Sequence, residues 1–309
     1  MPDPTEARGS PLDAVDICIC THRRESVVQT LESLARLQGL GPRRRRVIVV
    51  DNDETPSSEA RVRETAARAG LPLLYRHAPA HNIALARNAC LDAAEAPWIA
   101  FIDDDETATP AWLEQLLAEA AQGGWDTVLG PTRALYEPGA PAWMRRGDFH
   151  SIAPVLLPGG IETGYTCNTL IRRAAVERAG LRFDLQFGRS GGEDLDFFYR
   201  LRDAGGRIGF APEAWTEEPV PPHRARLGWL LTRAFRSGQS HGTRLVRSQG
   251  GGFKRIANGL VAAGKLAYCA AGAVLSAPRA HRRNRFMTRG ALHLGVVARI
   301  VGVREVSLY

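Results

Sequence analysis

Nine residues, Trp98 to Glu106 (WIAFIDDDE), leave few choices of architecture. A short apolar run that ends abruptly in charge reads as a fully buried strand of a parallel sheet, with its acids at the carboxyl end. Open α/β sheets bind their ligands at that end. Three adjacent carboxylates repel one another unless a cation or hydrogen-bond donors hold them, which makes this tip a candidate site for a hard divalent metal carrying a phosphorylated ligand. A second reading stays open from the residues alone. The acids simply precede a helix, with Thr109 as N-cap and Pro110 as first helical residue before AWLEQLLAEA.

The residues before this strand alternate between strand and helix patterns. Strands are expected at VDICIC (Val15 to Cys20), RVIVVDN (Arg46 to Asn52) and LPLLYRH. Helices are expected at SVVQTLESLARL (Ser26 to Leu37), at SSEARVRETAARAG with Gly70 as its cap, and at ALARNACLDAAE. Alternation of this kind implies right-handed βαβ units and a mostly parallel sheet. Neither G-x-G-x-x-G nor G-x-x-x-x-G-K-[ST] occurs; CTHRRE follows the first strand instead. Arg43 to Arg46 falls just before VIVVD and reads as a solvated turn. Further on come a strand at WDTVLG, Pro- and Gly-rich loops, a strand at TCNTLIRR and a helix at AAVERAG. Glu193 and Asp194 then open a helix straight after the Gly-rich loop Gly188 to Gly192. Acids in a first turn can be simple dipole caps. A glycine-rich loop running into them also marks a place where binding and catalysis concentrate.

The 309 residues and 44% hydrophobic content allow one large α/β domain with an appendage. The formal charge of +7 hides an asymmetry, because from Pro219 onward sixteen Arg or Lys stand against one acid, Glu305. That part carries +15 and residues 1 to 218 carry −8. A basic tail of this kind has its own anionic partner, nucleic acid or a membrane surface. Within it, Leu227 to Arg247 reads as a basic amphipathic helix broken at Gly238. Ile256 to Ala277 is long enough to span a bilayer, but Lys265 near its middle costs roughly 2.5 to 3.5 kcal/mol on insertion scales. A helix in or on the interface, with RAHRRNR beside it, fits better; a soluble helical subdomain is the alternative. Met1 to Asp13 reads as a disordered leader without a secretory signal. The five cysteines show no C-x-x-C spacing and read as small buried hydrophobes of a cytoplasmic protein.

The ordered set CTHRR, VVDND, ALARN, FIDDDE and GGEDLDFFYRL resembles glycosyltransferase family 2, over about Ala14 to Pro222. The resemblance is nearest to bacterial members that build exopolysaccharide or other surface glycans. It implies the GT-A fold and inverting transfer from a nucleoside-diphosphate sugar to a glycan or lipid-linked saccharide. Carried over by motif, Thr21 and Arg23 of the first motif, Asp51 and Asn52 of the second, and Arg87 of A-R-N fall at the nucleotide-sugar site. Asp103 and Asp104 join them there, with Asp105 and Asp103 as ligands of Mn²⁺ or Mg²⁺. Of the E-D pair, Glu193 and Asp194, the base falls on Asp194. The chemistry suits those residue types. A leaving diphosphate gathers charge that a hard cation offsets, and one carboxylate suffices to take the acceptor's proton in a single displacement.

The sequence departs from that family at three points. Cys20 stands where Pro is usual before the Thr. The Q-x-x-R-W pentad of processive synthases is absent, so one sugar per acceptor is expected. EAWTEE occupies the region where a metal-proximal His often follows the base helix, which leaves His223 as a loop or surface histidine. The implied organisation is a leader at 1–13, a GT-A domain at 14–222 and a basic helical region at 223–309, peripheral on the inner face of the cell membrane. Two rivals are weaker. A nucleotidyltransferase calls for a Gly-rich loop and Lys after the first strand, which CTHRRE lacks. A non-catalytic polyanion or nucleic-acid binder calls for an aromatic stacking series, which the tail lacks.

Overall fold

The computed structural model describes residues 14–41, 43–189, 191–248 and 252–304; the leader assigned to 1–13 lies outside them. Two units emerge: Met1–Arg133, Ile152–Arg189 and Glu193–Glu218 form the first, and Ala134–Ser151, Ser190–Gly192 and Pro219–Tyr309 the second.

In the first unit the chain begins with β1 (Ala14–Thr21), α1 (Val27–Ala35), β2 (Arg44–Asp51), α2 (Glu59–Arg68), β3 (Leu73–His77), α3 (Ile83–Ala93) and β4 (Trp98–Ile102). It continues through β5 (Thr107–Ala108), α4 (Trp112–Gly123), β6 (Thr127–Leu129) and the start of β7 (Thr132–Tyr136), which passes into the second unit at Ala134; α5 (Ala142–Gly147) follows in that unit. The first unit resumes at β8 (Asn168–Arg172), α6 (Arg173–Arg178), α7 (Glu193–Asp203) and β9 (Ile208–Phe210), and ends at Glu218 within β10 (Thr216–Val220). The main sheet has the order β3-β2-β1-β4-β8-β6-β9. Strands β3, β2, β1 and β4 run parallel, as does β6 with β9, while β8 lies antiparallel between β4 and β6.

Both faces of β1 and β4 are covered, which is why their sequences are apolar without alternation. Val15, Ile17 and Ile19 face one core together with Trp98, Ala100 and Ile102. Cys18 faces the other with Ile99 and Phe101. The chain runs outward from β1 through β2 to β3 and then returns to place β4 on the far side of β1. That reversal makes the β1/β4 boundary a switch point, where the carboxyl ends open a crevice.

Several local expectations are corrected. Arg44 to Arg46 belong to β2 rather than to a turn, and Arg46 donates to both oxygens of Asp16, at 2.9 and 3.0 Å. Burial pushes the Asp16 carboxyl up, yet Arg46 and the amides of Ala96 and Glu95 outweigh it and hold the acid below its ordinary value. Thr109 does not cap α4. Its hydroxyl donates to the Trp215 carbonyl, and the cap position falls on Ala111. Gly70, by contrast, ends α2 as expected: it follows Ala69 with φ of 63°, and its amide donates to the Ala67 carbonyl. The short β5, which pairs with β10 through Thr107 and Ala108, follows the acids directly.

The second unit contains α5, α8 (Leu227–Ser248), α9 (Gly252–Leu275) and α10 (Ala280–Ile300). Helix α8 is continuous through Gly238, contrary to the expected break. The glycine serves close packing instead: a Cβ there would stand 1.9 Å from the Leu292 carbonyl oxygen of α10, and one at Gly295 would stand 1.9 Å from the Phe235 oxygen of α8. Neither position has room for a side chain, so the two backbones touch directly.

Candidate active site

The crevice at the switch point collects residues from five segments of the first unit. Thr21 ends β1 and is buried; Asp103, Asp104 and Asp105 follow β4. Asp104 and Glu106 are buried, whereas Asp103 and Asp105 keep part of their surface open. Arg24, in the loop after β1, lies over these acids. Its guanidinium donates to Asp105 and stands 3.4 Å from Asp104.

The crowding shows in the acids. Burial pushes the Asp104 carboxyl up to about 7, helped by Asp105 and opposed by Arg24 and the Thr21 hydroxyl. Asp103 is raised by the protein around it and by Asp105, against Arg87. Glu106 is raised well above its ordinary value by burial and by Asp103, and one of its oxygens has no hydrogen-bond partner. Among the described residues no three His, Cys, Asp or Glu side chains converge as a ready metal cage.

Arg87, on α3, joins the acid tip to the segment that follows the glycine-rich loop. It is almost fully buried, donates to Glu193 at the start of α7, and stands 3.9 Å from Asp103. Phe183 packs beneath its guanidinium at 5.7 Å. Burial and the neighbouring Asp194 push Glu193 up, while Arg87 pulls it down. Glu193 is therefore committed to an internal pair. Asp194, next in the chain, is partly exposed; one of its oxygens accepts from the Leu195 amide, and its charge acts on Asp103.

The acids and amides after β2 are placed differently from one another. Asp51 is fully buried and accepts from the amides of Asp53 and Ser58 and from the Tyr75 hydroxyl. Asn52 bridges Ala78 and the Asn82 amide. Both therefore fix the turn that leads from β2. Asp53 is the member that meets the loop after β1: Arg23 donates to it at 2.8 Å and holds its carboxyl well below the usual range.

Backbone strain gathers at the same rim. Arg23 and His81 both adopt the left-handed region, with φ of 56° and 44°. Non-glycine residues there cost energy that surrounding structure must offset, and such residues cluster at functional sites. The rings of His22 and His81 meet edge to face at 4.7 Å, and His81 lies 3.3 Å from Glu54. Sequence reasoning assigns no role to Arg24, Asp53, Glu106 or His81, although CTHRR, VVDND and FIDDDE contain the first three. Arg24 and Asp53 are placed by contacts across 81 and 30 residues.

Two further expectations concern the surroundings of the site. Cys20 and Cys90 are free thiols with sulfurs 3.8 Å apart, and their contact together with burial pushes the Cys20 thiol well up. His223 is exposed in a turn of the second unit.

The chain is similar to proteins of a known family. The model described as "Glycosyl transferase family 2" matches residues 16–180. The chain is 49% identical over 295 residues to succinoglycan biosynthesis protein ExoM of Rhizobium meliloti, covering 96% of this chain and 95% of that one. It is 26% identical over 270 residues to validoxylamine A glucosyltransferase of Streptomyces hygroscopicus subsp. limoneus, covering 77% of this chain and 59% of that protein. The solved structure of S. aureus TarS 1–349 in complex with UDP-GlcNAc superposes with a TM-score of 0.56 at 17% identity, covering 90% of each chain, and so shares the GT-A-like fold. With the family model spanning more than half of its length and a full-length relative at that identity, the chain belongs to glycosyl transferase family 2 and is a glycosyltransferase.

Proposed function

We propose that the enzyme transfers a single sugar, with inversion, from a nucleoside-diphosphate sugar to a glycan or lipid-linked saccharide during assembly of an exopolysaccharide. The biosynthetic setting is taken from the ExoM relative, and the donor class from the TarS complex with UDP-GlcNAc. The observation that carries the reading is the Arg87 bridge. One buried guanidinium ties Glu193 to the vicinity of Asp103, and in this reading the next carboxylate, Asp194, serves the same site.

In this reading Asp194 accepts the proton of the acceptor hydroxyl as that oxygen attacks the anomeric carbon, and Glu193 holds α7 in register through Arg87. Thr21, Arg23 and the turn fixed by Asp51 and Asn52 form the nucleoside end of the site, with Asp104 beneath. The acids attract a cation, since the Arg24 guanidinium lies on Asp104 and Asp105, and carboxylate oxygens are the ligands a hard ion takes. Mg²⁺ and Mn²⁺ are held by one or two carboxylates completed by substrate phosphates, which is the set that Asp103 and Asp105 offer. When bound, such an ion would offset charge on the departing diphosphate.

The basic helical unit is the part proposed to rest on the inner face of the cell membrane, where a lipid-linked acceptor would be met. The test is a donor screen with purified protein, Mn²⁺ or Mg²⁺ and UDP-, GDP- and dTDP-sugars, reading nucleoside diphosphate release and the anomeric configuration of the product. Release from a UDP-sugar with inverted product supports the proposal; retained configuration would remove the single-displacement mechanism.

A further inference from the structure

Helix α9 is almost uncovered. From Lys254 to Leu275 it is long and apolar enough to cross a membrane, and only 11% of its most apolar window is buried. Its covered face is one stripe, with Ala262 and Cys269 buried against the unit and Leu266 half-covered; α10 presents Gly290 to this stripe. Large apolar side chains cover the other side. Ile256, Leu260, Val261, Tyr268, Val274 and Leu275 are between 56 and 82% exposed. At 100° per residue these six fall in one half of the helix surface, and that half holds no charged residue. Both lysines, Lys254 and Lys265, lie together on one edge of it. The expected penalty for a mid-helix lysine therefore does not arise for a helix lying in the interface plane, because Lys265 stands at its boundary.

A second observation comes from α10. Arg282, Arg285, Phe286 and Arg289 line a shallow, open cleft. The spacing i, i+3, i+7 places the three guanidinium stems on one face of α10. Phe286 meets the exposed Tyr268 of α9 edge to face at 5.9 Å. The cleft therefore runs beside the edge of the apolar half of α9 that carries Lys265. Lys265 and Arg289 both depress His293, after its burial, which places Lys265 near Arg289 along this border. Arg279, Arg282, Arg285 and Arg289 form no ion pair among the described residues, and α10 has no acid in its first turn. Arg279 and Arg282 stand at the first turn, where cations oppose the helix dipole, and the cluster lacks internal neutralisation.

Resting on the membrane reading above, we propose that the α9–α10 face is an in-plane docking surface for a bilayer containing anionic phospholipid. The uncharged half of α9 sits among the acyl chains, and the Arg282–Arg285–Arg289 cleft holds a lipid phosphate. Apolar depth and cationic border lie side by side along both helices, which is how an interfacial surface is arranged. A helix crossing the bilayer does not fit, since α9 packs along its length against an arginine-bearing neighbour.

The test uses the full-length protein and flotation with phosphatidylcholine vesicles, with or without phosphatidylglycerol. Wild type is expected to float with the mixed vesicles. The double variant Arg282→Gln/Arg289→Gln leaves Arg285, which donates to the Gly147 carbonyl, in place. It should bind mixed vesicles about thirtyfold more weakly, near fivefold for each arginine at the surface. The charge-matched control Arg226→Gln/Arg304→Gln should change little. Equal loss in both variants would overturn the cleft while keeping membrane binding; no flotation of wild type would overturn the membrane reading itself. Tyr268→Trp should show a blue-shifted emission increment over wild type on mixed vesicles, and an unshifted one would overturn the proposed depth. Resistance to alkaline extraction would overturn the in-plane orientation in favour of a span.

Discussion

Arg24 donates to the carboxylate of Asp105, so the acid tip beyond β4 carries a cation of its own before any ligand arrives. The arrangement has a physical origin. Asp103 to Asp105 are consecutive at the end of a buried strand, and the low dielectric around them makes like-charge repulsion costly. A guanidinium from the neighbouring strand's loop is the nearest source of compensation, and a divalent ion would compete with it for the same oxygens.

Asp105→Ala should remove the metal-dependent part of nucleotide binding while leaving the fold intact, and Arg24→Met should strengthen binding of Mn²⁺ without nucleotide. Titration calorimetry with Mn²⁺, alone and with UDP, checks both. Undiminished metal-dependent binding in Asp105→Ala would take that residue out of the metal site.

Asp194→Asn and Glu193→Gln should separate chemistry from support. The first keeps shape but loses the proton acceptor, so transfer should fall roughly 10² to 10⁴-fold with donor affinity retained. The second breaks a buried ion pair, a change worth about 3–5 kcal/mol, and should lower the melting midpoint. Near wild-type transfer by Asp194→Asn would move the base elsewhere.

Asp104 predicts a pH dependence. Its folded value of about 7 lies above the 3.8 of an unfolded aspartate, so between these the folded state binds the extra proton. Stability from this group is present below pH 4 and declines as pH rises toward 7, with a ceiling of about 1.4 kcal/mol per unit. The melting midpoint of Asp104→Asn should therefore gain on wild type across pH 4 to 7 and run parallel to it above. A difference independent of pH would contradict the assignment.

Gly238→Val should destabilise the second unit by about 1–3 kcal/mol or more, because its Cβ would meet the Leu292 carbonyl oxygen at 1.9 Å. Thermal unfolding followed by circular dichroism measures it. An unchanged midpoint would mean that α8 and α10 separate without cost.

The alternation of strands and helices through Ile102, the buried character of β1 and β4, and the acids at the end of WIAFI were all legible in the sequence, because periodicity and composition report burial directly. So were the ordered motifs that mark the family. Tertiary structure alone decided what depends on distant contacts. It inserted β8 antiparallel between β4 and β6 and set Arg87 against Glu193 across 106 residues. It committed Asp51 to capping a turn, laid Arg24 over Asp105, and used Gly238 for helix contact rather than for a break. Local pattern fixes which residues avoid water. Which charge meets which is decided only when the folded chain brings remote segments together and burial makes every unpaired charge expensive.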